Sequence, residues 1–155
     1  MSNRNREAGH DWERACVNIL KDRNIYPNAA TSREVSGVRD HRDKIDICNR
    51  DEREQGIMTD SIQCKNVASS LTYSKLMSEM ADIPGTRKVI LHKQTRRAGK
   101  KFVTVGTYAI TQVQDYYDLL AHWRGFQLLF SELLEKADED TKAKLNAELV
   151  KLGII

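Results

Sequence analysis

Apolar positions in the first part of the chain return every three or four residues. Ala8, Trp12, Ala15, Cys16, Ile19 and Leu20 form one stripe, which predicts a helix over residues 5–22. Asn24 and Pro27 close it, since proline cannot continue a helix. Glu13 lies one residue beyond Trp12, at the border of the stripe. The period then shortens. Residues 31–35 fit a short strand ended by Ser36-Gly37. Over residues 44–49, Ile45 and Ile47 take one face of a strand and Asp46 the other. Residues 50–60 are polar and contain Gly56, as a hairpin connection requires. Residues 61–66 alternate again, with Ile62 and Cys64 on one side and Gln63 and Lys65 together on the opposite side.

A helix follows over residues 72–81, with Leu76, Met77 and Met80 on its apolar side, a cap at Ser70 or Thr72, and a break at Pro84-Gly85. Residues 88–92 and 102–110 read as two further strands, with basic residues 93–101 as the turn between them. Thr111 caps a long helical region through Tyr116, Leu119, Leu120 and Trp123, which Gly125 interrupts before a helix over 126–137; a last helix spans 140–152 and stops at Gly153. The order α-β-β-β-α-β-β-α-α implies an α/β fold, a mixed central sheet flanked by helices, with additional C-terminal helices. The chain reads as a single domain of 155 residues, with a core over about 5–123 and a helical extension over about 124–155.

Composition narrows the class. Charged residues make up 30% and hydrophobic residues 40%, the balance of a globular chain rather than a disordered one. No apolar run reaches the length of a membrane span and the first residues lead into no apolar signal region, so a cytoplasmic protein without a membrane partner is expected. Cys16, Cys48 and Cys64 sit singly in apolar segments with no Cys-x-x-Cys, which suggests buried thiols rather than disulfides or zinc. The net charge of +3 is unevenly spread: residues 84–101 carry 7 Lys or Arg and no acidic residue. A concentrated positive field suits a polyanion, because phosphate contacts release counterions.

Candidate chemistry gathers on four residues in three segments. Glu13, Asp46, Gln63 and Lys65 are each held by elements that would push them toward one another. Polar groups that a strand pushes to one face can converge on a metal ion, which suggests metal-dependent cleavage of a phosphodiester. Asp43 is a candidate to support this set or to act as an alternative ligand, and Asp60 reads as a turn residue. The four histidines show no metal-ligand spacing, and neither a Gly-rich phosphate loop nor a Ser/His nucleophile pair is present, which argues against a nucleotidase or acyl-transfer enzyme.

In these residues the chain resembles the PD-(D/E)XK nuclease superfamily, and within it the archaeal-type Holliday junction resolvases. The likeness covers residues 6–110 and rests on Gly9 and Glu13 in the first helix, Ser36-Gly37, Asp46-Ile47, and Gln63-Cys64-Lys65. It implies a restriction-endonuclease-like fold and an endonuclease dependent on Mg²⁺, with Mn²⁺ as a substitute, that acts in DNA recombination on four-way or other branched DNA. Hydrolysis would leave a 5′-phosphate and a 3′-hydroxyl. The resemblance also implies that Asp46 is the central Mg²⁺ ligand with Glu13 and the Gln63 amide oxygen completing the set, that Lys65 orients the nucleophile or stabilises charge developing on a phosphate, and that Ser36 touches a phosphate. Position 63 departs from the family, which carries Glu or Asp there; an amide coordinates without charge, so metal affinity falls. The transposon end-cutting nucleases resemble this chain in using Gln at that place.

Arg33, Arg39 and Arg42 around the Ser36-Gly37 loop, with Arg96, Arg97, Lys100 and Lys101 on the basic hairpin, are the expected DNA contacts, reading shape through phosphates rather than bases. Two symmetric cuts in a junction imply a homodimer, for which Leu119, Leu120, Phe126, Leu129, Phe130, Leu133 and Leu134 supply apolar surface; packing on the chain's own sheet would use the same residues. The competing readings are another nicking or end-cutting nuclease of this superfamily within an assembly, a DNA-binding module of this fold without catalysis, and a plain basic RNA-binding protein.

Overall fold

The computed structural model describes residues 3–35, 42–51, 58–68 and 70–151. Among the described residues, five strands and five helices form an α/β arrangement: α1 (Asn3–Asp22), β1 (Ala29–Thr31), α2 (Ser32–Val35), β2 (Ile47–Asn49), β3 (Asp60–Val67), α3 (Tyr73–Glu79), β4 (Arg87–Ala98), β5 (Lys101–Ile110), α4 (Val113–Lys136) and α5 (Glu139–Lys151). The sheet is mixed, in the order β1-β2-β3-β4-β5. β3 and β4 run parallel, and the other neighbouring strands antiparallel. A parallel pair cannot be joined by a tight turn, and α3 lies in the crossover between them.

The chain divides into two compact units, Met1–Gln112 and Val113–Ile155, so all of α4 belongs to the second and the division precedes the expected 123/124 boundary. In the first unit the central strands are packed on both faces, while β5 is largely exposed. The apolar stripe of α1 closes one face, where Cys16, Val17, Tyr26, Ile47, Ile62 and Cys64 are buried with Trp12, Leu20, Val89 and Leu91 against them. On the other face, Met77 and Met80 of α3 pack with Ile90, joined by Tyr73, Leu76 and Ile110. In the β3–β4 register, Cys64 pairs with Leu91 and Gln63 with Ile90. Paired residues share a face, so Cys64 looks toward α1 while Gln63 and Lys65 share the face of Ile90 and His92.

Several expected elements are displaced, each for a local reason. The strand expected at 31–35 is replaced by β1 at Ala29–Thr31 and a helical turn, α2. Its buried residues include Ala29 and Ala30, too small to mark an alternating pattern. The strand expected at 44–49 is shortened to Ile47–Asn49, because Lys44 adopts a left-handed φ of 56° and cannot extend the strand. The basic segment 93–101 is not a turn: residues 93–98 belong to β4, and the reversal is made at Gly99, with φ of 60°. Gly125 does not interrupt α4, since one glycine costs a helix only about 1 kcal/mol. Thr72 is the N-cap residue of α3, but its hydroxyl makes no cap hydrogen bond.

The helical unit is built differently. Asp138 caps α5 by accepting the Thr141 N–H at 2.7 Å, and that bond holds its carboxyl below the usual aspartate range. No residue of α4 or α5 is buried. Among the described residues, no helix is long and apolar enough to cross a membrane.

Candidate functional site

Asp46 sits where β2 begins, and its backbone and side chain are both committed. Its N–H donates to the Ile62 carbonyl at 2.8 Å, and its carbonyl accepts the Ser32 N–H at 2.8 Å. Its Oδ2 accepts the Cys64 N–H at 2.7 Å. A carboxylate thus takes an acceptor role on β3 that a strand carbonyl usually fills, and it is held against the peptide linking Gln63 to Cys64. Such a charge-assisted bond is stronger than a neutral ladder bond. Asp46 is only 8% exposed.

Glu13, expected at the border of the α1 stripe, is buried at 6% exposure. A buried carboxylate needs compensation, and Arg33 of α2 brings its Nε to 3.6 Å from Glu13 Oε2 while also contacting the His10 ring nitrogen. The Cys64 thiol links the two acids. Its hydrogen bond with Cys16, its burial, and the charges of Asp46 and Glu13 push it well above the ordinary thiol range, so it stays protonated. Both carboxylates therefore act on one point of β3.

Gln63 is 3% exposed, and its Oε1 has no hydrogen-bond partner. Leaving such an acceptor unmatched costs about 1–3 kcal/mol, which the fold tolerates here beside an acidic residue. Lys65 is half-buried two residues further on and has no ion-pair partner among the described residues. Its register partner on β4 is His92. His92 is buried at 1% exposure; its Nδ1 is 3.0 Å from the Tyr73 hydroxyl, and its Nε2 is unpartnered.

The remaining candidates fall into three groups. Asp43 is buried, pairs with Arg42 at 2.6 Å, and through its carbonyl accepts the Ala81 N–H at 2.9 Å, tying the approach to β2 to the end of α3. Asp60 is not a turn residue: it opens β3, binds Arg87 through Nε at 2.8 Å and Nη2 at 2.7 Å, and accepts the Tyr26 hydroxyl at 2.7 Å. Of the expected DNA contacts, Ser36 and Arg39 lie outside the described residues. Arg33 is turned to Glu13 and Arg42 to Asp43. Arg96, Arg97, Lys100 and Lys101 are exposed on the β4–β5 hairpin, and Lys93 lies 5.5 Å over the Trp12 ring, a cation–π contact.

The Glu13 and Asp46 carboxylates bring their charge to Cys64, on the α1 side, while the Gln63 amide oxygen stands on the face shared with Ile90 and His92; hard-oxygen groups of this kind suit Mg²⁺ where they converge. Among the described residues, no group of three or more His, Cys, Asp or Glu side chains is placed to hold a metal. Two features were beyond the sequence pattern: the Arg33–Glu13 pair, and the burial of His92 with Tyr73 beside Lys65. The β3–β4 register is what sets His92 beside Lys65. The chain matches no protein-family model, no curated protein and no solved structure.

Proposed function

We propose that this protein is a metal-dependent DNA endonuclease with a restriction-endonuclease-like core of the PD-(D/E)XK type, acting on four-way or other branched DNA. The observation that carries the reading is the Asp46 carboxylate fixed against the Gln63–Cys64 peptide, beside a buried Gln63 Oε1 that has no partner. Isolated polar residues on a sheet are solvated; these are buried next to a lysine.

Glu13, Asp46 and Gln63 would hold Mg²⁺ or Mn²⁺, and the ion supplies neutralisation of phosphate charge and a more acidic water. Arg33 balances Glu13 and fixes its orientation. The Lys65 ammonium donates to a phosphate oxygen and offsets the charge that builds at phosphorus. Water adds to phosphorus as the P–O3′ bond breaks, leaving a 5′-phosphate and a 3′-hydroxyl. Arg96, Arg97, Lys100 and Lys101 hold the backbone of a duplex arm through phosphates, which selects shape rather than sequence.

A labelled four-way junction and a linear duplex, each incubated with Mg²⁺ or Mn²⁺, test the reading beside Asp46→Asn and Lys65→Ala. Junction cleavage by wild type and loss in both variants is the expected result. Preferential cutting of linear duplex would instead favour a nicking or end-cutting nuclease. A second reading, DNA binding without catalysis, is favoured by one observation: among the described residues no group of three or more His, Cys, Asp or Glu side chains is placed to hold a metal. Junction binding by a wild type as inert as both variants would establish it and sink the first.

A further inference from the structure

We propose that the cavity between α1 and strands β4 and β5 is a pocket for one unpaired nucleobase, so that the preferred DNA carries an unpaired nucleotide at its branch. The inference rests on the DNA reading above and narrows its substrate class. The cavity holds about 250 Å³ and lies within the first unit, with Trp12, Cys16, Leu20, Leu91 and Ala109 in its wall. A site for a drug-sized ligand takes roughly 300–1,000 Å³, so the occupant is a small planar or short aliphatic group.

The surrounding chemistry selects a base. Trp12 Nε1 donates to the Leu91 carbonyl at 3.0 Å, which fixes the indole in the cavity wall. Lys93 Nζ stands 5.5 Å from the centre of that ring. A fixed aromatic ring with a cation beside it suits single-stranded nucleic acid, because the ring stacks any base and the cation meets its phosphate. A purely aliphatic occupant would give Lys93 no role. Charge beside the cavity runs the same way. β4 continues from Lys93 to Arg96 and Arg97, and residues 84–101 carry 7 Lys or Arg and no acidic residue. Of the acids flanking Trp12, Asp11 is paired with Arg14 at 2.6 Å and Glu13 with Arg33 at 3.6 Å.

Position links the cavity to the candidate site. Glu13 follows Trp12 on α1. Cys16, in the cavity wall, hydrogen-bonds Cys64, whose N–H the Asp46 carboxylate accepts. A base held here brings its own phosphodiester toward those carboxylates, while the basic hairpin holds the duplex arm. A fully paired junction offers no such base without breaking a pair, which costs binding energy.

Fluorescence anisotropy of the full chain in EDTA tests the pocket apart from cleavage. The probes are a fully paired four-way junction, the same junction with one unpaired adenine at the branch, and that junction with an abasic site in place of the adenine. The unpaired adenine should lower Kd by about tenfold, the scale of one base stacked on an aromatic ring, and the abasic junction should lose the gain. Trp12→Ala should bind all three alike. Because Trp12 also packs on the core, Ala109→Phe at an exposed position of the wall repeats the test by filling the cavity. 2-Aminopurine in place of the adenine should be quenched by wild type and not by Ala109→Phe. Arg96→Ala with Arg97→Ala should weaken all three junctions equally. An abasic junction bound as tightly as the unpaired adenine, or a preference that survives Ala109→Phe, overturns the pocket and leaves the DNA reading standing. Binding to none of the junctions sinks both. The adenine preference in a chain that cuts nothing in Mg²⁺ supports the pocket and sinks the nuclease.

Discussion

The two units of this chain break the usual rule of apolar inside and polar outside in opposite ways. In the sheet unit the exceptions are buried polar groups: Glu13, Asp46, Gln63 and His92 are all under 9% exposed. In the helical unit they are exposed apolar groups, with no buried residue in either α4 or α5. Each kind of exception costs free energy, and each points to a different use. Buried polar groups with unmatched atoms ask for a ligand inside the fold. Exposed apolar residues in a regular stripe ask for another protein surface. The comparison can be tested by treating the units unequally.

The largest contrast should be in activity. Lys65→Ala is expected to lower junction cleavage by about a thousandfold, the scale of removing one group that stabilises transition-state charge. Removing a lysine from α4, Lys136→Ala, should leave the rate within about twofold, because its ion pair with Glu132 is exposed. Similar losses in both would erase the contrast. Stability should divide the units next. Ile90 is fully buried, so Ile90→Ala is expected to cost about 2–5 kcal/mol in urea unfolding. Leu129 is 57% exposed, so Leu129→Ala should change the same measurement by less than about 0.5 kcal/mol.

A smaller effect sharpens the chemistry of the sheet unit. Gln63→Glu restores a charge beside Asp46 and should tighten Mg²⁺ binding by about tenfold by calorimetric titration. An unchanged titration would remove Gln63 from the donor set. The smallest effect is in alkaline stability. Burial, and then the Asp60 carboxylate, push the Tyr26 hydroxyl above its ordinary value of 10.0. The folded state therefore holds this proton more tightly than the unfolded one. The associated stability is full below pH 10 and is lost as pH rises through the folded value. Cys64 loses stability in the same direction. The Tyr26 part is isolated by comparing wild type with Tyr26→Phe, whose urea midpoint should fall less steeply between about pH 9 and 11.

Legibility differed between elements for physical reasons. The α1 stripe and the alternation across β3 could be read because their apolar side chains are large and regularly spaced. β1 could not, since two buried alanines carry no pattern. The truncation of β2 depends on a left-handed Lys44, which alternation does not report. The extension of β4 through Arg96 and Arg97 was hidden because basic side chains resemble a turn, although on an exposed hairpin they can remain in solvent. Asp60 looked like a turn residue because its partners, Arg87 and Tyr26, are far away in sequence.

For the site, the sequence by itself determined which polar residues lie in which segments, and that Gln63 and Lys65 share one side of a strand. Period and chemistry are local properties, so they can be read from neighbours along the chain. Tertiary structure alone decided that Glu13 is buried against Arg33, that the Asp46 carboxylate bonds the Cys64 amide, and that His92 stands beside Lys65. Those relations depend on strand register and on how α1 and α2 close over the sheet. Register is set by the packing of both faces at once, and no single segment carries that information.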